Sequence, residues 1–326
     1  MPPVLVLSHD DVTKALPMAD CIEAMADVLA AHARGELYQP LRSVAIPPGS
    51  GGFIGLMPAH RGGDHAAYSL KSLVVIPDNP KRGLDSHQGT VTLFDGETGI
   101  PTALLSASAI TAIRTAAVSA LATRLLGRED ARSLAVLGAG VQARSHLKAM
   151  RLVRDFSRVR IYARTRGHLE QLAREVDFPV EIADSAEAAV RGADVVVAAT
   201  NSREPVLERS WLTDGAHVNA VGASMPSARE IDTETFVAAS VFPDNRESLE
   251  NEAGEYQLAV REGLIPGLSH VRAELGEVAA GQHVGRTAPD ELTLFRSLGL
   301  GIEDLAAAQT AVTNARAQGL GTEVEL

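Results

Sequence analysis

A glycine-rich turn in the middle of the chain limits the possible folds more than any other feature. The stretch LAVLGAGVQARSH, residues 134–146, passes from an apolar run through Gly-Ala-Gly into a helical pattern and fits G-x-G-x-x-A. In that pattern the first Gly makes a tight turn and the second lets the backbone approach a pyrophosphate, while a small third residue allows close helix–strand packing. The turn predicts a dinucleotide site at a helix N-terminus. Its predicted phosphate-binding residues are Gly138, Ala139, Gly140, Val141 and Gln142.

The segments after this turn alternate between strand and helix. Strand patterns occur at SLAVL, VRIYA, PVEIA, DVVVAAT and HVNAV, and helical patterns between them at 141–154, 167–177 and 185–191. Apolar strands alternating with helices predict a doubly wound parallel sheet, the Rossmann type of α/β fold. Before this region, a helix capped by Ser8, a second helix and several β-like runs lead to a long helix at 106–126, and the C-terminal tail is helical.

Charge and cysteine content exclude several classes of function. The formal net charge is −11, which argues against nucleic acid as a partner, because phosphate binding needs basic surface. A single cysteine, Cys21, rules out an internal disulfide framework, and the histidines show no metal-ligand spacing. The N-terminus lacks the basic start of a signal peptide, and the longest uncharged stretch carries Pro and many hydroxyls. We therefore expect a cytoplasmic protein that binds neither metal nor membrane.

The end of the second Rossmann strand favours one nicotinamide cofactor over the other. In NAD-specific sites an acidic residue there binds the ribose 2′-hydroxyl. Here VRIYA ends in Arg164-Thr165-Arg166 with no acid nearby. Guanidinium groups and a hydroxyl suit a 2′-phosphate. The sequence thus favours NADP(H), with NAD(H) as the alternative.

Three cations stand in apolar surroundings in the first third of the chain: Arg42 in LRSVAI, Lys71 in AAYSLKSLVVI and Arg114 in an apolar helix. Buried cations are costly and meet an anion, so together they predict a pocket for a small carboxylate. Thr115 follows Arg114 and is expected to face the cofactor. Ser86 and His87 form a compact polar group before a strand, suited to orienting nicotinamide or substrate, or to a purely structural role.

The chain resembles the ornithine cyclodeaminase/mu-crystallin family over nearly its whole length. The likeness is carried by GGFIGLMPAH, SHQGTVTLFDGETG, ITAIRTAAVSALAT, LGAGVQARSH, VNAVGASMPSAREID and FRSLGLGIEDLAAA. The resemblance implies a Rossmann domain, residues 119–302, and an α+β substrate-binding and dimerisation domain formed by both termini, residues 1–118 and 303–326. It also implies a homodimer.

The resemblance further implies roles for individual residues. Arg42, Lys71 and Arg114 would bind the substrate carboxylate, with Lys71 also polarising the reacting centre. The residues implied to approach the cofactor are Thr200, Val221 and Ser297, with Ser86 and His87 near the nicotinamide. Lys71, Glu252 or a held water would supply a proton, and Glu252 is placed by NEAGE, which is similar to a family segment.

One departure distinguishes between branches of the family. Where cyclodeaminases carry an Asp that acts on the substrate amine, this chain has Ser224, which we also count among the cofactor-binding residues. GASMPSARE and the ART at 163–165 are similar to the NADPH-using ketimine reductase branch. The expectation is an NADPH-dependent reductase of small 2-imino carboxylates, such as cyclic ketimines, acting on a C=N bond to give an amino acid. The alternatives are an ornithine or lysine cyclodeaminase with bound NAD, an alanine-type amino-acid dehydrogenase, and a non-catalytic NADPH-binding crystallin-like protein.

Overall fold

The computed structural model describes residues 2–222 and 224–325, without the side chain of Pro80. The chain forms two compact units: a terminal unit, residues 1–114 with 299–326, and a central unit, residues 115–298. The border between them falls inside helix α3 (Ala107–Leu126). The borders expected from sequence lie slightly further along the chain.

The terminal unit is built on a sheet of eight strands. Their order is β15-β1-β7-β6-β5-β4-β2, with β3 also paired to β4, and every pair except β1–β7 is antiparallel. The strands are β1 (Val4–Leu7), β2 (Leu37–Tyr38), β3 (Ser43–Ala45), β4 (Phe53–Arg61), β5 (Ala67–Val75), β6 (His87–Asp95), β7 (Pro101–Ser106) and β15 (Thr322–Val324). Its helices, besides the start of α3, are α1 (His9–Ala15), α2 (Met18–Ala33) and α11 (Gly301–Gln318).

The two faces of this sheet differ because side chains alternate along each strand. On the inner face Met57 is buried, while Ile54 and Leu56 on the opposite face of β4 are exposed. Helix α11 packs against β4, β5 and β6, and α2 packs against α11. Lys71 belongs to the buried set of β5, opposite Met57 on one side and Val91 on the other. A cation therefore lies on an apolar inner face.

Helix α11 begins in close contact with its neighbours, and two glycines make this contact fit. A Cβ on Gly301 would lie 2.9 Å from a carbonyl oxygen of β4. Gly299 has φ +82°, and a Cβ there would lie 2.8 Å from the guanidinium of Arg114. The first turn of the helix carries Glu303 and Asp304, both fully buried. The sequence GLGIED thus places two acids inside the terminal unit.

The central unit holds a seven-stranded sheet in which every neighbouring pair is parallel. Its order is β10-β9-β8-β11-β12-β14-β13. The first three strands are added outward from β8 to β10, and the chain then returns to add β11 on the other side of β8, so the strand order reverses between β8 and β11. The strands are β8 (Ser133–Leu137), β9 (Arg158–Tyr162), β10 (Glu181–Ile182), β11 (Val195–Ala198), β12 (His217–Ala220), β13 (Ser240–Pro243) and β14 (Thr293–Arg296). The helices are α4 (Val141–Met150), α5 (Arg166–Glu175), α6 (Ala186–Val190), α7 (Thr233–Ala238), α8 (Arg246–Glu252), α9 (Gly254–Arg261) and α10 (Leu275–Ala279).

The apolar core of the central unit forms two clusters, as a sheet covered on both faces requires. One includes Val136, Leu147 and Leu172, and the other includes Val218 and Phe236. The predicted doubly wound α/β fold with an additional α+β domain is confirmed.

Several predicted elements have different bounds in the structure. The helix expected at 141–154 ends at Met150, where the chain turns and the Arg154 guanidinium donates to carbonyl oxygens at the end of α3. The strand expected over LRSVAI is only β3, so Arg42 precedes a strand rather than lying in one. The predicted Ser8 cap is confirmed: the Ser8 hydroxyl accepts from the Asp11 N–H, and the Ser8 N–H donates to the Asp11 carboxylate.

By length and composition alone, helix α3 is long and apolar enough to cross a membrane. Of its most apolar window, 78% is buried inside the protein, with a mean hydropathy of 1.3. This is the burial of a core helix.

Candidate active site

The terminal unit buries a lysine–aspartate pair between its sheet and α11. Lys71 is 2% exposed and Asp304 is fully buried. The Lys71 Nζ lies 2.7 Å from Asp304 Oδ2 and donates to the Thr111 hydroxyl of α3 at 3.5 Å. A buried ammonium without a counter-ion is strongly destabilising. The pair explains how the apolar inner face tolerates Lys71.

Arg114 joins the same cluster from α3. Its Nε donates to Asp304 Oδ1 at 3.1 Å, and its Nη1 lies 2.8 Å from Glu303 Oε2. Asp304 therefore bridges two cations through its two oxygens. The sequence analysis did not identify these protein partners: both carboxylates come from α11.

Burial and the neighbouring charges shift the pKa values of Lys71 and Asp304 in opposite directions. Burial lowers the pKa of Lys71 to about 8, even though the Asp304 carboxylate acts to raise it. Burial also acts to raise the pKa of Asp304, but Lys71 and Arg114 outweigh it and hold that pKa below its ordinary value. Asp304 is thus a carboxylate at neutral pH. Lys71 titrates close to neutral pH, as suits a group that transfers protons.

Arg42 adds a third cation to the terminal unit. It is half-buried between β2 and β3, donates to the Gly299 carbonyl at 2.8 Å, and its charge contributes to the low pKa of Lys71. The three cations Arg42, Lys71 and Arg114 carry one formal charge more than the two acids of α11. One substrate carboxylate would balance that excess.

Ser86 and His87 form a polar pair at the start of β6. The Ser86 Oγ lies 3.0 Å from His87 Nδ1, and the His87 ring is exposed. The pair belongs to the terminal unit, with Arg42, Lys71 and Arg114.

The glycine loop in the central unit fits a dinucleotide. Gly138 has φ +125°, and a Cβ there would lie 2.4 Å from the Ala199 carbonyl oxygen, so no larger residue fits. Gly140 is exposed, and a Cβ there would meet no atom of the described residues within 4 Å. It is the N-cap of α4 and provides no side-chain cap, while Val141 is 48% exposed. The backbone N–H groups of this turn are suited to binding a pyrophosphate.

The other predicted cofactor residues follow the carboxyl ends of neighbouring parallel strands, where doubly wound sheets bind ligands. Thr200 follows β11, Val221 follows β12, and Ser297 follows β14 and donates its N–H to the Ala220 carbonyl. Ser224 is half-buried three residues beyond Val221. Ala223, between these two, lies outside the described residues.

A buried acid holds two of these strand ends together. Glu230 accepts hydrogen bonds from the Thr200 N–H and hydroxyl, both at 2.6 Å, and from the Gly222 N–H. Burial raises the pKa of this carboxyl despite those donors. Glu230 fixes the loops that follow β11 and β12, and the sequence interpretation missed it.

The residues at the end of β9 are exposed, as a ribose site requires. Thr165 is the N-cap of α5, and Arg164 precedes it. Arg166 pairs with Glu170 at 3.2 Å and with Asp184 at 4.0 Å, so its charge is partly neutralised by acids of the protein.

The remaining predicted site residues lie in the central unit. Glu252 ends α8 and is 9% exposed, and Thr115 is buried in α3, where its carbonyl accepts from the Ser119 hydroxyl. Gln142 is half-buried in the first turn of α4, and the Ala139 carbonyl accepts from Arg144 at 2.8 Å.

The residues that the sequence interpretation missed are mainly Glu303 and Asp304. Their signal was present in GIEDLAAAQTA, where two adjacent acids directly precede the apolar run LAAA. The sequence does not show which cations these acids meet.

The chain is similar in sequence to proteins of one known family. The sequence profile of the ornithine cyclodeaminase/mu-crystallin family matches residues 4–319. Mouse ketimine reductase mu-crystallin is 38% identical over 275 residues, which cover 84% of each chain.

Two solved structures are similar over nearly the full length. One is the Thermococcus litoralis Δ1-pyrroline-2-carboxylate reductase in complex with NADH and L-proline. It has a TM-score of 0.93 and 35% identity, covering 98% of this chain and 100% of that one. The other is an archaeal alanine dehydrogenase dimer with bound NAD, with a TM-score of 0.92 and 31% identity, covering 99% of both chains.

These likenesses confirm the predictions of an oxidoreductase and of a nicotinamide cofactor, which the glycine loop fits. The family match extends over most of both units, including the glycine loop and the Lys71–Asp304–Arg114 cluster. The chain belongs to the ornithine cyclodeaminase/mu-crystallin family.

Proposed function

We propose that this protein reduces small 2-imino carboxylates to amino acids with NADPH, and that cyclic ketimines are its substrates. The observation that carries the proposal is the buried cluster of Lys71, Asp304 and Arg114, in a chain whose relatives include named ketimine and pyrroline-2-carboxylate reductases. The cluster offers charge for a carboxylate and a proton for an imine nitrogen.

The cations bind the carboxylate and orient the substrate. A guanidinium grips a carboxylate through two parallel hydrogen bonds. Arg114 is held in place by Glu303 and Asp304, and Arg42 by the Gly299 carbonyl, so neither has to be ordered when the substrate arrives. Such positioning lowers the barrier by several kcal/mol.

Lys71 gives the proton that the imine needs. A C=N bond accepts hydride readily only when its nitrogen is protonated. The pKa of Lys71, about 8, means that the ammonium form dominates at neutral pH and gives up its proton easily. Reduction adds one proton to nitrogen and one hydride to carbon, and Lys71 recovers its proton from water. We therefore favour Lys71 over Glu252 as the donor.

When bound, the nicotinamide cofactor supplies the hydride. The residues that would hold its pyrophosphate are those of the turn from Gly138 to Gln142, and Thr200, Val221, Ser224 and Ser297 would line its path along the strand ends.

The preference for NADPH rests on Arg164. Replacing Arg164 by Ala should weaken NADPH binding by about 1.5–3 kcal/mol, the contribution of a hydrogen bond to a charged group. The KM for NADPH should rise accordingly, and the KM for NADH should stay unchanged. Arg166→Ala is the matched control with a smaller expected effect, since Arg166 already pairs with Glu170. Steady-state kinetics with both cofactors decides. Equal changes for NADPH and NADH would show that Arg164 does not read the 2′-phosphate.

Ser224 favours reduction over cyclodeamination. The family's cyclodeaminases place an Asp there to act on the substrate amine, and a hydroxyl cannot take that role.

The test mixes the enzyme with NADPH and Δ1-pyrroline-2-carboxylate or Δ1-piperideine-2-carboxylate and follows nicotinamide absorbance. Rapid oxidation of NADPH, slower with NADH, is expected. Failure with both imines, with ammonia released from ornithine or lysine instead, would support a cyclodeaminase. NADPH oxidation only with pyruvate and ammonia would support a dehydrogenase, and binding without turnover a crystallin-like role.

We also propose a cytoplasmic homodimer, formed through the outer face of the terminal sheet. Ile54 and Val74 are paired across β4 and β5 and are 40% and 41% exposed, and Leu56 and Tyr68 are exposed on the same face. Apolar sheet surface of this kind is covered in a stable protein.

Leu56→Glu should convert the dimer to a monomer, because a charge would be buried in the interface. Light scattering after size exclusion measures the mass. Val284→Glu, at an 81% exposed site in the central unit, is the control and should remain dimeric. A monomer mass for the wild-type protein would contradict the proposed dimer.

A further inference from the structure

The carboxylate of Asp304 is the one group of α11 that contacts both cations of the cluster in the contacts described above. Its Oδ2 lies 2.7 Å from Lys71 Nζ and its Oδ1 lies 3.1 Å from Arg114 Nε. Its neighbour Glu303 contacts Arg114 at 2.8 Å. Both acids therefore contact Arg114, and the contact with Lys71 is made by Asp304.

We propose that Asp304 is a positioning residue for the reaction, which holds Lys71 as an ammonium in a fixed orientation while it holds Arg114 for the substrate carboxylate. Glu303 contacts Arg114 and serves as the matched comparison. This inference rests on the proposed function for its chemistry, but the state of Lys71 can be measured without any substrate.

Burial is the reason that Lys71 needs such a partner. Buried lysines lose their proton because desolvation penalises the charged form. A neutral Lys71 at working pH would have no proton to give to the imine nitrogen. The Asp304 charge opposes this loss, and the balance leaves the pKa of Lys71 at about 8. The carboxylate thus sets the upper pH at which the enzyme can protonate its substrate.

The surroundings of Lys71 single out Asp304 for this role. Its neighbours in the adjacent strands are Met57 and Val91, which are apolar. Arg114 and Arg42 act to lower its pKa. The titratable and charged groups on the packed elements are His60 and Arg61 on β4, His87 and Asp95 on β6, Arg114 and Arg124 on α3, and Glu303, Asp304 and Arg316 on α11.

The first test is a pair of isosteric variants, Asp304→Asn and Glu303→Gln. In wild type, kcat/KM should fall above about pH 8, as Lys71 loses its proton. Asp304→Asn should move this alkaline limb to lower pH by roughly one pH unit or more, because an opposite charge is removed. Glu303→Gln should leave the limb in place and raise KM. Titration of the substrate is common to all three enzymes, so differences between their profiles report on the protein.

The second test observes Lys71 directly. The chain has four lysines, and Lys14, Lys81 and Lys148 are exposed. Carbon-13 labelling of lysine Cε should give an anomalous NMR titration near pH 8, assigned to Lys71 by its loss in Lys71→Met. The anomalous midpoint should fall in Asp304→Asn and remain in Glu303→Gln.

The outcomes separate this inference from the proposed function. A Lys71 midpoint that is unchanged in Asp304→Asn, or one at the ordinary lysine value in wild type, would overturn the role of Asp304. The wild-type titration decides even if Asp304→Asn fails to fold. A shifted midpoint in an enzyme that reduces no imine would instead overturn the proposed function and leave the pairing intact.

Discussion

Lys71→Met should reduce kcat/KM for 2-imino carboxylates by about 10²–10⁴-fold, the usual worth of a positioned proton donor. Methionine has a similar length but has no proton to give and no charge for the carboxylate. The affinity for NADPH should remain unchanged, because the glycine loop lies in the other unit. Nicotinamide absorbance measures the first quantity and fluorescence titration of the cofactor the second.

Stability must be measured in the same variant, because Lys71→Met leaves the fully buried Asp304 without one of its two partners. Breaking a buried pair costs up to about 3–5 kcal/mol. The control is the double variant Lys71→Met/Asp304→Asn, which removes both charges. It should recover much of the lost stability and none of the activity. Imine reduction at the wild-type rate by either variant would remove Lys71 from the mechanism.

Gly140→Ala should weaken NADPH binding by about 1–3 kcal/mol, the cost of inserting a methyl group into a filled space. Within the part of the chain that the structure describes, the added Cβ meets no atom within 4 Å. The backbone of Gly140, with φ −84°, is open to any residue. The melting temperature without cofactor should therefore stay unchanged. Calorimetric titration and thermal melting measure the two effects.

Gly138→Ala is the contrasting variant. Its φ of +125° and the 2.4 Å approach to a carbonyl oxygen predict a lower melting temperature even without cofactor. Gly51→Ala, at an exposed site in the terminal unit where the added Cβ has no described atom within 4 Å, should change neither quantity. Full-strength NADPH binding by Gly140→Ala would place the pyrophosphate elsewhere.

The central unit was predictable because its signals are local. The turn at Gly138 is readable from sequence, since the left-handed region favours glycine and the flanking strand and helix adjoin it. The strand ends at Thr200 and Val221 follow from the same alternation. β13 and β14 were not identified from the sequence. In the sheet β14 lies between β12 and β13, although it follows both in the chain, and only the structure reveals this order.

The terminal unit shows where sequence reasoning stopped. Its cations could be recognised one by one, because a charge in an apolar segment is conspicuous. Their counter-ions could not, since Arg114 and Asp304 are 190 residues apart and meet only when α11 packs on the sheet. Arg42, Lys71 and Arg114 were found, and the acids that hold two of them were missed.

The central claim is that hydride reaches the imine carbon of a substrate held by the Lys71 cluster. The most direct measurement uses NADPH carrying deuterium at both C4 positions of the nicotinamide, with Δ1-pyrroline-2-carboxylate, and mass and NMR analysis of the product. The account predicts proline with a single deuterium at Cα, and none at that position when unlabelled NADPH reacts in deuterated water. Proline without deuterium at Cα, or no proline at all, would contradict it.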